Sequence, residues 1–365
     1  MVLMIVSICV HCMKKYAGNP GRAAHPLSAK AAETVFCARS ELGALFSARE
    51  ENVIMTKNTT EALNLAVFGL LTRAKRIITT NLEHNSVRRP LAALKSRGTD
   101  VAVIDATRPD GEFIGVLEDE MEKGADALVC LHASNICPRV LPIREMGRVC
   151  RRHGATFILD AAQSAGIYDI DVEKDGVDVL CVPGHKGLFG PMGTGAAVFR
   201  SDFDFSALDP ILLGGTGTFS ADDDVGRTPP ESFEAGTLAV PAIAGLCEGV
   251  RFLRRTGTGA IREHEAKLYR YAKAEILSLG GTIYGDFCDG SVLSFNIGGI
   301  GGSDVMSRLG DTGICVRAGM HCAPTAHKAL GTGGDAVRVG FSPMNSERDV
   351  RALIDALWKI RRETA

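Results

Sequence analysis

The stretch of residues 177–195, which reads VDVLCVPGHKGLFGPMGTG, constrains the fold of this chain more than any other. Its apolar run at 177–182 predicts a strand that breaks at a Pro-Gly pair, directly before His185 and Lys186. Open α/β sheets bind ligands beyond the carboxyl ends of their strands, where glycines allow backbone amides to approach a ligand closely. The stretch therefore predicts an α/β sheet whose ligand site contains a lysine.

Lys186 suits one kind of chemistry at such a site. Partial desolvation of an ammonium group lowers its pKa, and the neutral amine is then a nucleophile for carbonyl compounds. This favours a lysine that carries pyridoxal phosphate covalently. A surface lysine that merely follows a strand is the alternative, and it is equally compatible with the stretch taken alone.

Apolar runs that alternate with helical patterns extend the prediction along the chain. Such runs predict strands at residues 52–55, 76–80, 101–105, 127–131, 156–160, 177–182 and 195–199. Helical spacing is found at residues 27–46, 62–71, 87–97, 143–153 and 241–254. This alternation is typical of a mostly parallel sheet with helices on both faces.

The pattern changes from about Glu263. Two helical patterns, at residues 261–279 and 347–360, now frame short strand-like runs near 292–297, 314–316 and 336–341. Strands and helices in this arrangement predict a second, smaller α+β domain.

Charge and cysteine content exclude some classes of function. A formal net charge of -2 does not supply the basic surface that nucleic-acid binding requires. The eleven cysteines have no regular spacing, which predicts reduced thiols in a cytoplasmic protein. Cys9 and Cys12 lack a second pair at zinc-site spacing, so no metal is predicted.

The first thirteen residues are apolar but too short to span a bilayer. We therefore predict no membrane association. The segment is expected to be a strand or helix that packs on the rest of the protein, and a cleaved signal peptide is the alternative.

Polar residues at strand ends complete a candidate site in the first domain. Thr59, within KNTTE, stands at a predicted helix N-terminus, where free amides and the helix dipole favour a phosphate. Plain N-capping is the alternative. Asp160 ends a predicted strand and is suited to pair with the protonated ring nitrogen of pyridoxal phosphate, or else it caps a helix. His84 also follows a strand, and it either lies flat on the cofactor ring or is a packed or capping residue.

A second group of candidates lies in the smaller domain, within VRAGMHCAP. Flanking glycine and proline predict a loop that keeps Cys322 outside the periodic core, and the adjacent Arg317 and His321 favour the nucleophilic thiolate form of a cysteine. An inert buried thiol is the alternative. Arg338 lies inside a predicted strand, where it needs an anion, either a substrate carboxylate or a structural salt-bridge partner.

The segments GNPGR, KNTTEALN, LEHNS, LDAAQSAG, PGHKGLFGPMGTG, FEAGT, VRAGMHCAP and AVRVG occur in the order found in class V aminotransferase-fold enzymes. From about Lys15 to the last helix the chain resembles this family, and it is most similar to the cysteine desulfurases and selenocysteine lyases of the second group. The resemblance implies an α/β protein of pyridoxal-phosphate fold type I, with a mostly parallel seven-stranded sheet and a smaller α+β C-terminal domain. It implies an atypical N-terminal segment at 1–15, a large domain at 16–255 that binds pyridoxal phosphate, and a small domain at 256–365 with the Cys322 loop.

The resemblance also implies a role for each candidate residue. Lys186 would carry the cofactor, Asp160 would pair with its ring nitrogen and Gln163 would contact its phenolic oxygen. The residues implied to bind the cofactor are Lys186, Asp160, Gln163, His84, Thr59, Asn58, His185, Asn135 and, from a neighbouring subunit, Thr237. Those implied to bind the substrate are Arg338, Arg22 and His321, and those implied to be catalytic are Lys186, Cys322 and His84. A site completed by a second chain implies a homodimer.

These roles imply a cysteine desulfurase that converts L-cysteine to L-alanine. The Lys186 amine would remove the Cα proton, and Cys322 would take the sulfur as a persulfide and pass it to an acceptor protein. Alternatives within the fold are a selenocysteine lyase, an aminotransferase or a β-lyase in which Cys322 is only structural. The alternative from another class is a catalytically silent homologue that binds a partner, because residues 1–15 stand where family members usually begin with an Asp-Asn-Ala-Ala-Thr strand.

Overall fold

The computed structural model describes residues 2–21, 25–217, 223–224 and 226–364. The helices are α1 (Val2–Lys15), α2 (Pro26–Phe46), α3 (Thr59–Leu70), α4 (Asn85–Lys95), α5 (Asp110–Met121), α6 (Ile143–His153), α7 (Val240–Thr256), α8 (Thr258–Ser278), α9 (Gly302–Asp311), α10 (Pro324–Ala329) and α11 (Glu347–Thr364). The strands are β1 (Val53–Thr56), β2 (Arg76–Thr80), β3 (Asp100–Ile104), β4 (Ala127–Leu131), β5 (Thr156–Asp160), β6 (Val179–Pro183), β7 (Gly195–Phe199), β8 (Gly281–Tyr284), β9 (Val292–Ile297), β10 (Arg317–Ala318) and β11 (Val337–Gly340).

The larger sheet has seven strands in the order β1-β7-β6-β5-β4-β2-β3. Strand β7 runs antiparallel to both of its neighbours, and the pairs from β6 to β3 are all parallel. The predicted mostly parallel sheet is therefore confirmed. Strands β4, β5 and β6 are adjacent, so the residues that follow their carboxyl ends meet at one edge of the sheet.

Apolar residues bury both faces of this sheet. In β2, Ile77 packs into the core on one face and its neighbour Ile78 packs into the core on the other. Strand β5 repeats the alternation, since Phe157 and Leu159 lie on the opposite face from Ile158. Burial on both faces explains why these strands read as continuous apolar runs in the sequence.

The smaller sheet is antiparallel, with the strand order β10-β11-β9-β8. Its core contains side chains of α8 and α11, such as Tyr269 and Leu357, packed on Phe295 of β9. This confirms the predicted α+β character of the C-terminal part of the chain.

Several elements differ from the sequence-based expectation. Helices α5, α9 and α10 and strand β8 were not predicted, and the short strand expected at 314–316 is found at Arg317–Ala318. The apolar N-terminal segment is the helix α1, which packs on α7, so its alternative as a strand is wrong. Ile5 and Cys12 of this helix are buried, whereas Val2, Leu3, Val6, Val10 and Met13 are exposed.

Candidate active site

A cavity of about 290 Å³ lies at the carboxyl ends of β4, β5 and β6, beside the N-terminus of α3. We call it the central cavity. It contains most of the residues that the resemblance implies for a cofactor. Among its lining residues are Asn58, Thr59, His84, Asn135, Asp160, Gln163, His185 and Lys186. The fold thus brings together side chains from distant segments of the sequence.

Asp160 and Lys186 are the oppositely charged pair of this cavity. Asp160 is the last residue of β5, is 3% exposed and accepts a hydrogen bond from the Ala162 amide at 2.9 Å. Burial raises the pKa of Asp160, and the charge of Lys186 works against that rise. Lys186 is open to solvent through the cavity, yet desolvation by the surrounding protein lowers its pKa, while Asp160 opposes that change. The cavity therefore favours a neutral amine on Lys186.

Two glycines bring the lysine loop and the aspartate segment into direct backbone contact. A Cβ atom on Gly187 would lie 2.2 Å from the Ala165 carbonyl oxygen, and one on Gly166 would lie 2.1 Å from the Gly187 oxygen. Neither position has room for any side chain. These glycines therefore explain part of the GHKG and DAAQSAG segments as a close approach that places Lys186 near Asp160.

His84 serves as the N-cap of α4 and also lines the central cavity. Its Nδ1 accepts a hydrogen bond from the Ser86 amide at 3.1 Å and lies 2.8 Å from the Ser86 hydroxyl. The Ser86 side chain also works against the rise in the pKa of Asp160. Burial and then the charge of Lys186 lower the pKa of His84 to about 4, so its ring is neutral at pH 7. Ser86, which the sequence analysis missed, links the histidine to the aspartate.

Thr59 presents an unpaired hydroxyl at the N-terminus of α3. The helix is capped by Asn58, whose Oδ1 accepts a hydrogen bond from the Glu61 amide at 3.0 Å, so the alternative that Thr59 is the cap is wrong. The Thr59 hydroxyl is buried and has no hydrogen-bond partner among the described residues. A buried hydroxyl beside free helix amides is suited to an anion such as a phosphate group.

Cys322 sits in a left-handed turn next to the central cavity. The Ala323 amide donates to the Met320 carbonyl at 2.9 Å, and the two residues between them, His321 and Cys322, have φ angles of 47° and 59°. Two positive φ angles give this turn the pattern of type I′, which normally uses glycine, asparagine or aspartate. Each such non-glycine residue costs about 1 to 3 kcal/mol, so surrounding contacts must hold the turn.

Backbone contacts with the large sheet's loops hold one side of this turn. The Asn85 amide donates to the Cys322 carbonyl at 2.8 Å, and the Asn135 side-chain amide donates to the His321 carbonyl at 2.9 Å. The Cys322 side chain lines a groove of about 430 Å³, together with His84 and Ser86, which also line the central cavity. The groove at Cys322 therefore adjoins the central cavity, since the two spaces share His84 and Ser86 as lining residues.

Two arginines bring positive charge to Cys322. Arg317 and Arg338 are direct partners in the β10–β11 pairing, and Arg317 Nη2 lies 3.9 Å from the Cys322 sulfur. Arg338 donates to the Asn135 carbonyl at 2.9 Å, and its charge lowers the pKa values of Lys186 and His84. Like charges placed opposite each other on neighbouring strands are unfavourable, and a bound anion relieves that repulsion.

The His321 ring points away from the central cavity. Its two nitrogens face His327 at 3.1 Å and the Arg317 carbonyl at 3.2 Å, and the ring is 3% exposed. Burial lowers the pKa of His321 to about 4. The expectation that this ring adds positive charge beside Cys322 is therefore wrong, and we do not assign it a substrate contact.

Thr237 and Arg338 are not among the residues that line the central cavity of this chain. Thr237 lines a separate pocket with Met55 and Phe233, and Arg22 lies outside the described residues. A larger cavity, of about 530 Å³, contains the buried ion pair between Arg39 and Glu234. Because those charges already satisfy each other, we place the candidate site in the central cavity instead.

Glu83 is a second residue that sequence reasoning missed. It is fully buried behind His84, where the Thr80 hydroxyl donates to it at 2.6 Å and the Leu131 amide donates at 3.0 Å. Burial raises the pKa of Glu83 to about 8, so it is mainly protonated at pH 7. The sequence signal for Glu83 is an acidic residue that directly follows a predicted strand, in the segment LEHNS.

This chain belongs to the Aminotransferase class-V family, whose sequence profile matches residues 3–353. It is 34% identical to a "Probable cysteine desulfurase" of Methanothermobacter thermautotrophicus over 98% of this chain and 91% of that protein. A "Probable cysteine desulfurase" of Pyrococcus abyssi is 32% identical over 95% of this chain and 88% of that protein. The solved apo structure of cysteine desulfurase from Thermococcus onnurineus NA1 superposes with a TM-score of 0.90 at 32% identity, over 98% of this chain and 91% of that one.

Enzymes of this family depend on pyridoxal phosphate, and the central cavity has the features that this cofactor requires. It offers an amine, a buried carboxylate and an unpartnered hydroxyl at a helix N-terminus, on Lys186, Asp160 and Thr59. Within the described ranges, no three His, Cys, Asp or Glu side chains come together as a metal-ion group requires. None of the described helices is long and apolar enough to cross a membrane.

Proposed function

We propose that this protein is a cysteine desulfurase that uses pyridoxal phosphate to convert L-cysteine to L-alanine and takes up the sulfur on Cys322. One observation carries the proposal: Lys186 and Asp160 line one cavity, and Cys322 lines an adjoining groove that shares His84 and Ser86 with it. The names of the relatives agree with this activity. The arrangement supplies a cofactor site, an acid–base group and a sulfur nucleophile in one place.

Pyridoxal phosphate, when bound, supplies an electron sink that stabilises negative charge at the substrate Cα. Lys186 and Asp160 would hold it at its aldehyde and ring nitrogen, and His84 would stack on its ring. The other contacts would come from Gln163, His185, Asn58, Asn135 and the hydroxyl of Thr59 at the α3 N-terminus. These assignments rest on the resemblance, on the lining of the central cavity and on the unpartnered Thr59 hydroxyl.

Proton transfer in this proposal belongs to Lys186. Its lowered pKa makes the neutral amine available to remove the Cα proton and later to return a proton. His84 has a pKa near 4, so it acts as a neutral ring and its Nδ1 remains an acceptor for the Ser86 amide. Arg338 would hold the substrate carboxylate through its guanidinium fork, and that anion would also relieve its repulsion with Arg317.

Sulfur transfer in this proposal uses the thiolate of Cys322. The thiolate attacks the substrate sulfur, an S–S bond forms and the C–S bond breaks, with its electron pair left on the carbon. That carbon takes a proton, so cysteine and the enzyme thiol give alanine and an enzyme persulfide without any external oxidant. An acceptor protein would then collect the sulfur from Cys322.

We further propose a homodimer in which the partner subunit's Thr237 completes the phosphate site. Thr237 lines a pocket apart from the central cavity of its own chain, which agrees with a contribution to another copy. The domain division at residues 255 and 256 is proposed on the membership of the two sheets. A cytoplasmic location is proposed because all eleven cysteines are free thiols.

The test compares alanine and sulfide release from L-cysteine by the wild type and by Cys322→Ala. We expect the variant to lose at least tenfold in rate on cysteine and to keep its visible cofactor absorbance. Cys315→Ala is the matched control, because Cys315 is an exposed thiol in the same part of the chain. It should retain wild-type activity.

Four other results would redirect the proposal. Full activity of Cys322→Ala on cysteine would remove the persulfide step, and full activity on L-selenocysteine alone would indicate a selenium-specific lyase. A colourless wild-type protein, or a visible band that survives Lys186→Ala, would contradict the cofactor assignment. A colourless wild-type protein would favour a partner-binding protein without catalysis.

A further inference from the structure

A buried chain of hydrogen bonds lies behind the Cys322 turn. It runs from the Arg317 carbonyl through His321 and His327 to the hydroxyl of Thr332, which also accepts the Gly334 amide at 3.1 Å. The two imidazoles are nearly parallel and meet edge to edge, with ring centroids 5.3 Å apart and 13° between their planes. The three side chains are 3%, 2% and 6% exposed, so water does not compete for these bonds.

The direction of each bond follows from the ends of the chain. A carbonyl only accepts, so His321 Nε2 carries the proton that it donates to Arg317. His321 Nδ1 must then accept from His327 Nε2, and His327 Nδ1 must accept from the Thr332 hydroxyl. This assignment requires both rings to be neutral, and burial lowers the pKa of His321 and of His327. Every ring nitrogen is used within the chain of bonds, so neither ring is free to act on substrate.

His321, the first imidazole of this hydrogen-bond chain, also occupies the strained turn. His321 has a φ of 47° and directly precedes Cys322, at 59°, and neither is a residue that prefers this conformation. The Asn85 and Asn135 contacts fix only the two backbone carbonyls of the turn. The hydrogen bonds of its imidazole fix the side-chain end of His321. They therefore also fix the orientation of His321 relative to the adjoining backbone of Cys322.

We propose that His321, His327 and Thr332 are positioning residues that hold Cys322 in its left-handed turn and so keep its thiol beside Arg317. The proposal rests on the proposed function, because it assigns these residues to the sulfur-transfer step. It predicts that loss of one bond in the chain lowers the rate of that step and leaves cysteine binding unchanged, since Arg338 does not take part in the chain.

The test uses Thr332→Val, Thr332→Ser and His321→Asn, each loaded with pyridoxal phosphate. Valine keeps the shape of threonine and removes the hydroxyl, serine keeps the hydroxyl, and asparagine tolerates a positive φ but cannot reach His327. We expect Thr332→Val and His321→Asn to lose about tenfold in kcat, as one buried hydrogen bond implies, with little change in KM. Thr332→Ser should restore wild-type kcat.

A second measurement does not depend on catalysis. The rates at which iodoacetate and iodoacetamide alkylate Cys322 are followed by mass spectrometry of the peptide that contains it. The anionic reagent is favoured where guanidinium groups surround the thiol, so the ratio of the two rates reports the position of Cys322 relative to Arg317. We expect this ratio to fall about threefold in Thr332→Val and His321→Asn, and to stay at the wild-type value in Thr332→Ser.

These measurements separate the possible outcomes. Thr332→Val could lower the melting temperature and yet keep the kcat and the alkylation ratio of the wild type. In that case the hydrogen-bond chain is merely structural and the proposal is overturned. If Thr332→Val does not fold, His321→Asn decides by the same criteria. If the wild type releases no alanine from cysteine but the ratio falls as expected, the proposed function fails while the positioning of Cys322 stands.

Discussion

Replacing Thr59 by valine is the sharpest test of the phosphate site. Its hydroxyl is buried without a partner among the described residues, at the N-terminus of α3 in the central cavity. A hydrogen bond to a charged group contributes about 1.5 to 3 kcal/mol, which corresponds to an affinity change of about ten- to 150-fold. We therefore expect Thr59→Val to raise the Kd for pyridoxal phosphate by a factor in that range, measured by absorbance titration of the apo protein. The apo protein should become slightly more stable, because an unsatisfied buried hydroxyl is removed.

Thr79 provides the matched control for this experiment. Its hydroxyl is likewise buried and unpartnered in the described part of the chain, but it lies in β2 and does not line the central cavity. Thr79→Val should stabilise the apo protein to a similar extent and leave the Kd for pyridoxal phosphate unchanged. The reasoning is refuted if Thr59→Val binds the cofactor as tightly as the wild type, or if Thr79→Val weakens binding by as much.

Three further expectations follow from the charges of the fold. Because the pKa of Lys186 is lowered, the rate of cofactor capture, measured by stopped-flow absorbance, should rise with pH and level off below the ordinary lysine pKa of 10.5. Asp160→Asn lacks the carboxylate that raises this pKa, so its plateau should begin at lower pH. Glu83 has a pKa of about 8 in the folded protein against an ordinary value of 4.5. Between these pH values the folded state keeps a proton that the unfolded state releases, so the free energy of unfolding falls as pH rises. Glu83→Gln should lack this fall when its unfolding in urea is measured across the same pH range. Arg39→Met leaves Glu234 charged and unpaired in the interior, which should lower the free energy of unfolding in urea by about 3 to 5 kcal/mol. The double variant with Glu234→Met should lose less, and an equal loss there would contradict the pairing argument.

The parallel sheet and the lysine–aspartate pair were predictable from the sequence because both depend on local patterns. Strands buried on both faces read as apolar runs, and Asp160 and Lys186 each lie at or just beyond the end of such a run. Parallel strands end at the same edge of a sheet, so the two residues had to meet once the strands were adjacent. Helices α5 and α9 were missed although their buried residues, such as Phe113 and Leu117 in α5 and Val305 and Leu309 in α9, recur at helical spacing.

Other features of the site depend on contacts between distant segments. The sequence placed His321 next to Cys322, but the direction of its ring is set by His327 and by the backbone of Arg317. Likewise, Ser86 gains its role only because the fold brings its hydroxyl to Asp160. No local pattern reports a positive φ at a histidine or the rotation of a side chain, so these features required the structure.

The candidate site concentrates features that are unfavourable in the empty protein. Asp160 is a buried carboxylate, the Thr59 hydroxyl is unpaired, and Arg317 faces Arg338 on the neighbouring strand. Each of them is a group that a phosphorylated, cationic-ring cofactor or a substrate carboxylate would satisfy. A protein under selection for stability alone would replace them with apolar or neutral residues of the same size. Their concentration in and beside one cavity is the physical argument that this region is built to bind a charged ligand.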